Sequence, residues 1–110
     1  MQRFPDWPVR LEAFLLANQM RGFEWGQWDC CLFVADAINA MTGLDPALRL
    51  RGSYTTYRGA LTACLSICGK RSVEDCAVRL LIDAEGRPIP PLQARRGDAV
   101  LADRFQEAHA

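Results

Sequence analysis

The sequence predicts a small α+β domain, on three observations. Four apolar stripes recur at helical spacing along residues 9–81. Glycines and an Asp-Pro step punctuate them. After the cluster Pro88, Pro90 and Pro91, which forbids helix, Ala99-Val100-Leu101-Ala102 carries the clearest strand signal, entered through Gly97-Asp98.

The first helix is expected from Val9 to Met20. Asp6 or Trp7 stands near its cap, Pro8 suits its first turn, and Leu11, Phe14, Leu15 and Met20 form its stripe. Gly22 is a plausible stop. The second helix is expected from Cys30 to Met41, with Asp29 as N-cap. Cys30, Phe33, Val34, Ala37, Ile38 and Met41 form its buried face, and Gly43 with Asp45-Pro46 ends it. A loop over 45–58 leads into a short helix, Tyr57 to Cys68, closed by Gly69, with Leu61, Cys64, Leu65 and Cys68 on one face. The fourth helix begins at Ser72. Asp75 lies three residues on, as in a capping box, and Val73, Cys76, Ala77, Leu80 and Leu81 make its stripe. Glu85-Gly86 makes a turn.

The chain has 110 residues, which suits one domain, residues 1–110. Basic and acidic side chains balance at 13 each, which argues against a partner bound through a basic surface, nucleic acid above all. No apolar run is long enough for a membrane span, and the N-terminal residues lack the apolar core of a signal peptide. Both point to synthesis and folding in the cytoplasm. The five cysteines show no paired spacing and are expected as free thiols. Cys64, Cys68 and Cys76 lack the close pairs of a structural zinc site, so neither a metal nor a cofactor is assigned.

The chemistry concentrates in Phe23-Glu24-Trp25-Gly26-Gln27-Trp28-Asp29-Cys30. It places a thiol at a helix N-terminus, where unpaired N–H groups and the helix dipole favour the thiolate, the nucleophilic form. Cys30 is therefore the candidate nucleophile, against the commoner fate of a free cysteine as a buried, inert side chain. Cys31, about a quarter-turn away, is the weaker candidate. His109, the single histidine, is the one available imidazole base. Asp98, Asp103 or Glu107 stand near enough in sequence to orient it, although a histidine so close to the chain end is more commonly solvated. Trp25, Trp28, Asp29 and Tyr54 are the candidate substrate-binding residues; the aromatics line a groove or cover the core. Arg96-Gly97-Asp98 is a lone tripeptide with little weight as an adhesion motif.

Asp29-Cys30 at a helix start, followed by Phe33-Val34, and Arg96-Gly97-Asp98-Ala99-Val100-Leu101 together resemble the NlpC-type cysteine peptidase family. Phe23 to Cys30, Met41 to Ala47 and Arg51 to Thr56 resemble more closely a group of small prophage and gene-transfer-agent tail-associated proteins related to it. The resemblance implies a papain-like α+β fold, with the nucleophile helix packed on an antiparallel sheet. It implies hydrolysis of amide bonds in peptidoglycan peptides, with Cys30 attacking and His109 as base, in a protein assembled into a phage or prophage tail. A catalytically silent tail component is the alternative. On this pattern the chain is expected to hold the helical part and one or two strands, incomplete at its C-terminus. A tail-tip protein, a partner chain or a second copy would then cover the open sheet.

Overall fold

The computed structural model describes residues 2–99. They form four α-helices, α1 (Trp7–Asn18), α2 (Cys30–Thr42), α3 (Tyr57–Cys68) and α4 (Val73–Asp83), and a 3-10 turn over Pro91–Gln93. Among the described residues there is no strand and no sheet; the nearest approach is an isolated antiparallel bridge between Glu24 and Trp28. The architecture is all-helical, which corrects the α+β, papain-like expectation. A sheet needs a second strand, and the described residues hold no second run of the required kind. Three prolines withhold backbone donors from the segment before Ala99. Of the expected strand Ala99–Ala102, Ala99 is described and belongs to no strand, and residues 100–102 lie outside the described residues. With no sheet among them, the open sheet edge expected to recruit a partner chain is not part of the described fold either.

Three helix starts follow local chemistry. Asp29, Thr56 and Ser72 are N-caps whose side chains accept from the N–H of Leu32, Gly59 and Asp75. Gly43 and Gly69 close α2 and α3 in the left-handed conformation, each at φ 79°. The first helix is shorter than its stripe: α1 ends at Asn18, and Met20 lies 90% exposed beyond it.

α1 packs on α2, and α3 packs on α4. α1 has no buried residue of its own. It leans on α2 through an aromatic trio in which Phe14, Trp28 and Phe33 have ring centroids 5.5–6.0 Å apart. That trio turns α2 about its axis. Phe33 faces α1, and the buried face is Leu32, Ala35, Ile38 and Met41: Ile38 and Met41 of the expected stripe are buried, whereas Leu32 and Ala35 take the places expected of Cys30, Phe33, Val34 and Ala37. Leu32 is wholly buried, and with Ala35 it joins Leu50 and Tyr54 of the connecting loop, Ala60 and Cys64 of α3, and Cys76 and Leu80 of α4 in one core. The rotation leaves Cys30 exposed.

The loop between α2 and α3 is pinned to α2 by Arg51. Its guanidinium donates to Asp36 of α2 and, at 2.6 and 3.1 Å, to both oxygens of Asp45. The guanidinium helps to hold the half-buried Asp45 carboxyl below its ordinary range, against the opposing effect of burial. A second long-range tie joins Arg3 to Asp98 at 2.7 Å and to the Gly97 carbonyl at 3.1 Å. Gly97 has φ +88°, and a Cβ there would sit 2.7 Å from the Trp7 ring. The Arg-Gly-Asp tripeptide is thus a packed turn in which Asp98 accepts from the Arg95 N–H at 2.9 Å.

Candidate functional site

The site is built on the buried carboxylate of Asp29. One oxygen caps α2 through the Leu32 N–H at 3.0 Å. The other accepts from the Gly26 N–H at 3.0 Å and from the Tyr54 hydroxyl. Burying a carboxylate is costly unless its lone pairs are satisfied, and here three donors meet them. Burial, then the hydrogen bond to Asp29, pushes the Tyr54 phenol well above its ordinary range, so it stays a donor. The loop geometry depends on Gly26. Its φ is +79°, and a Cβ would lie 2.1 Å from the Tyr54 carbonyl oxygen. Its own carbonyl accepts from the Gly52 N–H at 2.8 Å, tying the two loops together.

This frame presents Cys30 at the first position of α2. Its thiol is pulled down to about 6. The largest cause is the Cys31 thiol donating to the Cys30 sulfur, and the backbone N–H groups of Cys31 and Cys30 add to it. Partial burial and the Asp29 charge oppose the shift. Cys31 is driven the other way, its proton held by the same contact and by burial. At pH 7 the pair is therefore a thiolate beside a thiol.

Cys30, Cys31 and Cys64 line one small open cleft with Trp25, Asp29 and Tyr54. Cys30 and Cys31 also border a broad trough that runs along Val34 and Ile38 of α2, faces Leu81 of α4, and extends to Ile89 and Arg95. Trp25 carries an aromatic ridge at the cleft: its ring lies 4.7 Å from Phe23 and 5.7 Å from Tyr57, both largely exposed.

Of the residues singled out from sequence, Cys30, Asp29, Trp25 and Tyr54 meet at this cleft. Trp28 and Tyr54 are both 7% exposed. Trp28 points into the α1 aromatic trio, with Arg21 stacked 4.2 Å from its ring centroid, and not into the cleft. Asp29 has both oxygens committed, so its role is to hold the frame. His109, with Asp103 and Glu107, lies outside the described residues. Asp98 is engaged by Arg3 and Arg95. Not foreseen from the sequence are Cys31 as the donor to Cys30, Cys64 as a cleft thiol, and Tyr57 as the partner that joins Trp25 in the ridge. The vicinal Cys30-Cys31 was the available signal for the first; the others depend on tertiary placement.

Residues 2–110 match the family described as a domain of unknown function, DUF6950. No curated protein and no solved structure matches the chain. With a match that spans nearly its whole length, the chain belongs to the DUF6950 family.

Proposed function

We propose that this domain is a thiol-dependent hydrolase of amide bonds, with Cys30 as nucleophile. The observation that carries the reading is an exposed cysteine at a helix start, with its thiol lowered to about 6, opening onto both a cleft and a long trough. The Cys30 thiolate attacks the carbonyl carbon, the C–N bond breaks, and the amine leaves with a proton taken from solvent water. Water then cleaves the thioester. The backbone N–H groups at the start of α2 that face the sulfur are the nearest donors for the developing oxyanion. The NlpC-type motif around Asp29-Cys30 supports peptide bonds of peptidoglycan as substrate, His109 as base and a place in a phage or prophage tail. Trp25 borders the substrate path.

A catalytically silent tail component is the second reading. What favours it is that the Asp29 carboxylate beside Cys30 is fully committed to its donors and so is not free to act as a base. The deciding experiment is digestion of purified peptidoglycan by the wild type and by Cys30→Ser, read as soluble muropeptides. Release by the wild type that is abolished in Cys30→Ser supports the hydrolase. Equal release by both proteins sinks it. No release by either, with Cys30 still rapidly alkylated, favours the silent component.

A further inference from the structure

All five cysteines of the chain lie together although they are spread over residues 30–76. Cys30 is exposed and shares a cleft with Cys31 and Cys64. Cys64 of α3 and Cys76 of α4 are both buried in the same core, where these two helices pack on each other. Cys31 and Cys68 pack against that core from its edge. The thiols thus run from solvent at the head of α2 to the α3–α4 interface.

We propose that this array is a thiol–disulfide relay, in which a small-molecule disulfide oxidises the chain at Cys30 and the bond is passed inward to rest between Cys64 and Cys76. First, the Cys30 sulfur attacks one sulfur of the small disulfide, forming a mixed disulfide and releasing one small thiolate. Second, Cys64 attacks the Cys30 sulfur. The second small thiolate leaves and takes up the Cys64 proton. Third, Cys76 attacks the Cys64 sulfur, its proton passing to the released thiolate pool, and Cys30 leaves as a thiolate. The balance is one small disulfide reduced to two thiols, and two protein thiols oxidised to one disulfide.

In the second step Cys64 attacks the Cys30 sulfur because the two cysteines share the cleft; the direction of the last step follows from leaving-group chemistry. The more acidic thiol leaves faster and the less acidic pair holds the bond. Burial pushes Cys76 up to about 12 and raises Cys64, whereas Cys30 lies near 6. Cys31 is a poor terminus, because a bond to its sequence neighbour would open the first turn of α2. Cys68 is occupied, its thiol donating to the Lys70 carbonyl at 3.4 Å. The relay shares Cys30 with the proposed hydrolase but does not require hydrolysis.

The test incubates the reduced full chain with oxidised glutathione, blocks remaining thiols under denaturing conditions and maps the peptides. A Cys64–Cys76 link in the wild type, formed roughly tenfold or more slowly in Cys30→Ser, is the expected result. Cys76→Ala should stop the chain one step earlier, with glutathione on Cys30 or a Cys30–Cys64 link. The relay is overturned if the Cys64–Cys76 link forms equally fast in Cys30→Ser. It is equally overturned if glutathione stays on wild-type Cys30 with Cys64 and Cys76 recovered as thiols. Rapid alkylation of Cys30 with no inward transfer would end the relay and leave the hydrolase reading standing; an inert Cys30 would end both.

Discussion

The head of α2 and the α3–α4 interface use the same side chain to opposite ends. At the head of α2, Cys30 is exposed and faces backbone N–H groups and the Cys31 thiol, which favour the ionised form. At the interface, Cys64 and Cys76 are buried among apolar neighbours, which favour the protonated form. The residue type alone does not decide whether a thiol is reactive or inert. The decision lies in how many donors face it and how much water is excluded.

The strongest way to break this contrast is Gly26→Ala. The new methyl would enter the Tyr54 carbonyl, so we expect a loss of about 3 kcal/mol or more in urea unfolding. A loss under about 1 kcal/mol would mean the loop relaxes freely and does not hold Asp29. Tyr54→Phe removes one donor from the buried Asp29 carboxylate and should cost about 1.5–3 kcal/mol. An unchanged denaturation midpoint would show that water replaces the hydroxyl.

The same substitution made on both sides tests the contrast directly. Cys76→Ser puts a hydroxyl in an apolar site and should cost about 1–3 kcal/mol, whereas Cys30→Ser should stay within about 0.5 kcal/mol. Equal costs would abolish the distinction. The smallest effect concerns titration. The Cys30 thiol is lowered, so its thiolate persists at neutral pH and is lost as pH falls through about 6. Iodoacetamide reactivity should follow that curve in the wild type. In Cys31→Ala, which deletes the largest cause, the midpoint should move up by roughly one unit or more toward the ordinary thiol value. A midpoint that stays put would assign the shift to the backbone donors instead.

What was legible in the sequence was what depends on neighbours along the chain. Asp29 and Ser72 as caps, Gly43 and Gly69 as stops, and the run of helices between them are local chemistry, and the structure has them. The buried face of α2 was legible at its C-terminal end, in Ile38 and Met41, and not at its head. Phe33 belongs to a trio with Phe14 and Trp28, and only their long-range contact turns Leu32 inward and Cys30 outward. The same distance effect hid what the Tyr54 hydroxyl does. Tyr54 lines the cleft, but a buried carboxylate twenty-five positions earlier claims its hydroxyl. The α+β expectation rested on one strand signal and on a resemblance, and the described residues do not bear it out.

The tie between Arg3 and Asp98 bears on the order of events during synthesis. Its two partners are 95 positions apart. Helix α2 and the α3–α4 pair can begin to assemble as the ribosome delivers them, but this clasp waits for nearly all of the described chain to emerge. Trp7, which rests under Gly97, waits with it. Phe14 can dock on Phe33 as soon as α2 has emerged, so it is the Arg3–Trp7 end of the first helix that is locked last, and a nascent chain stalled before Asp98 should leave that end more open to a protease than the finished chain does.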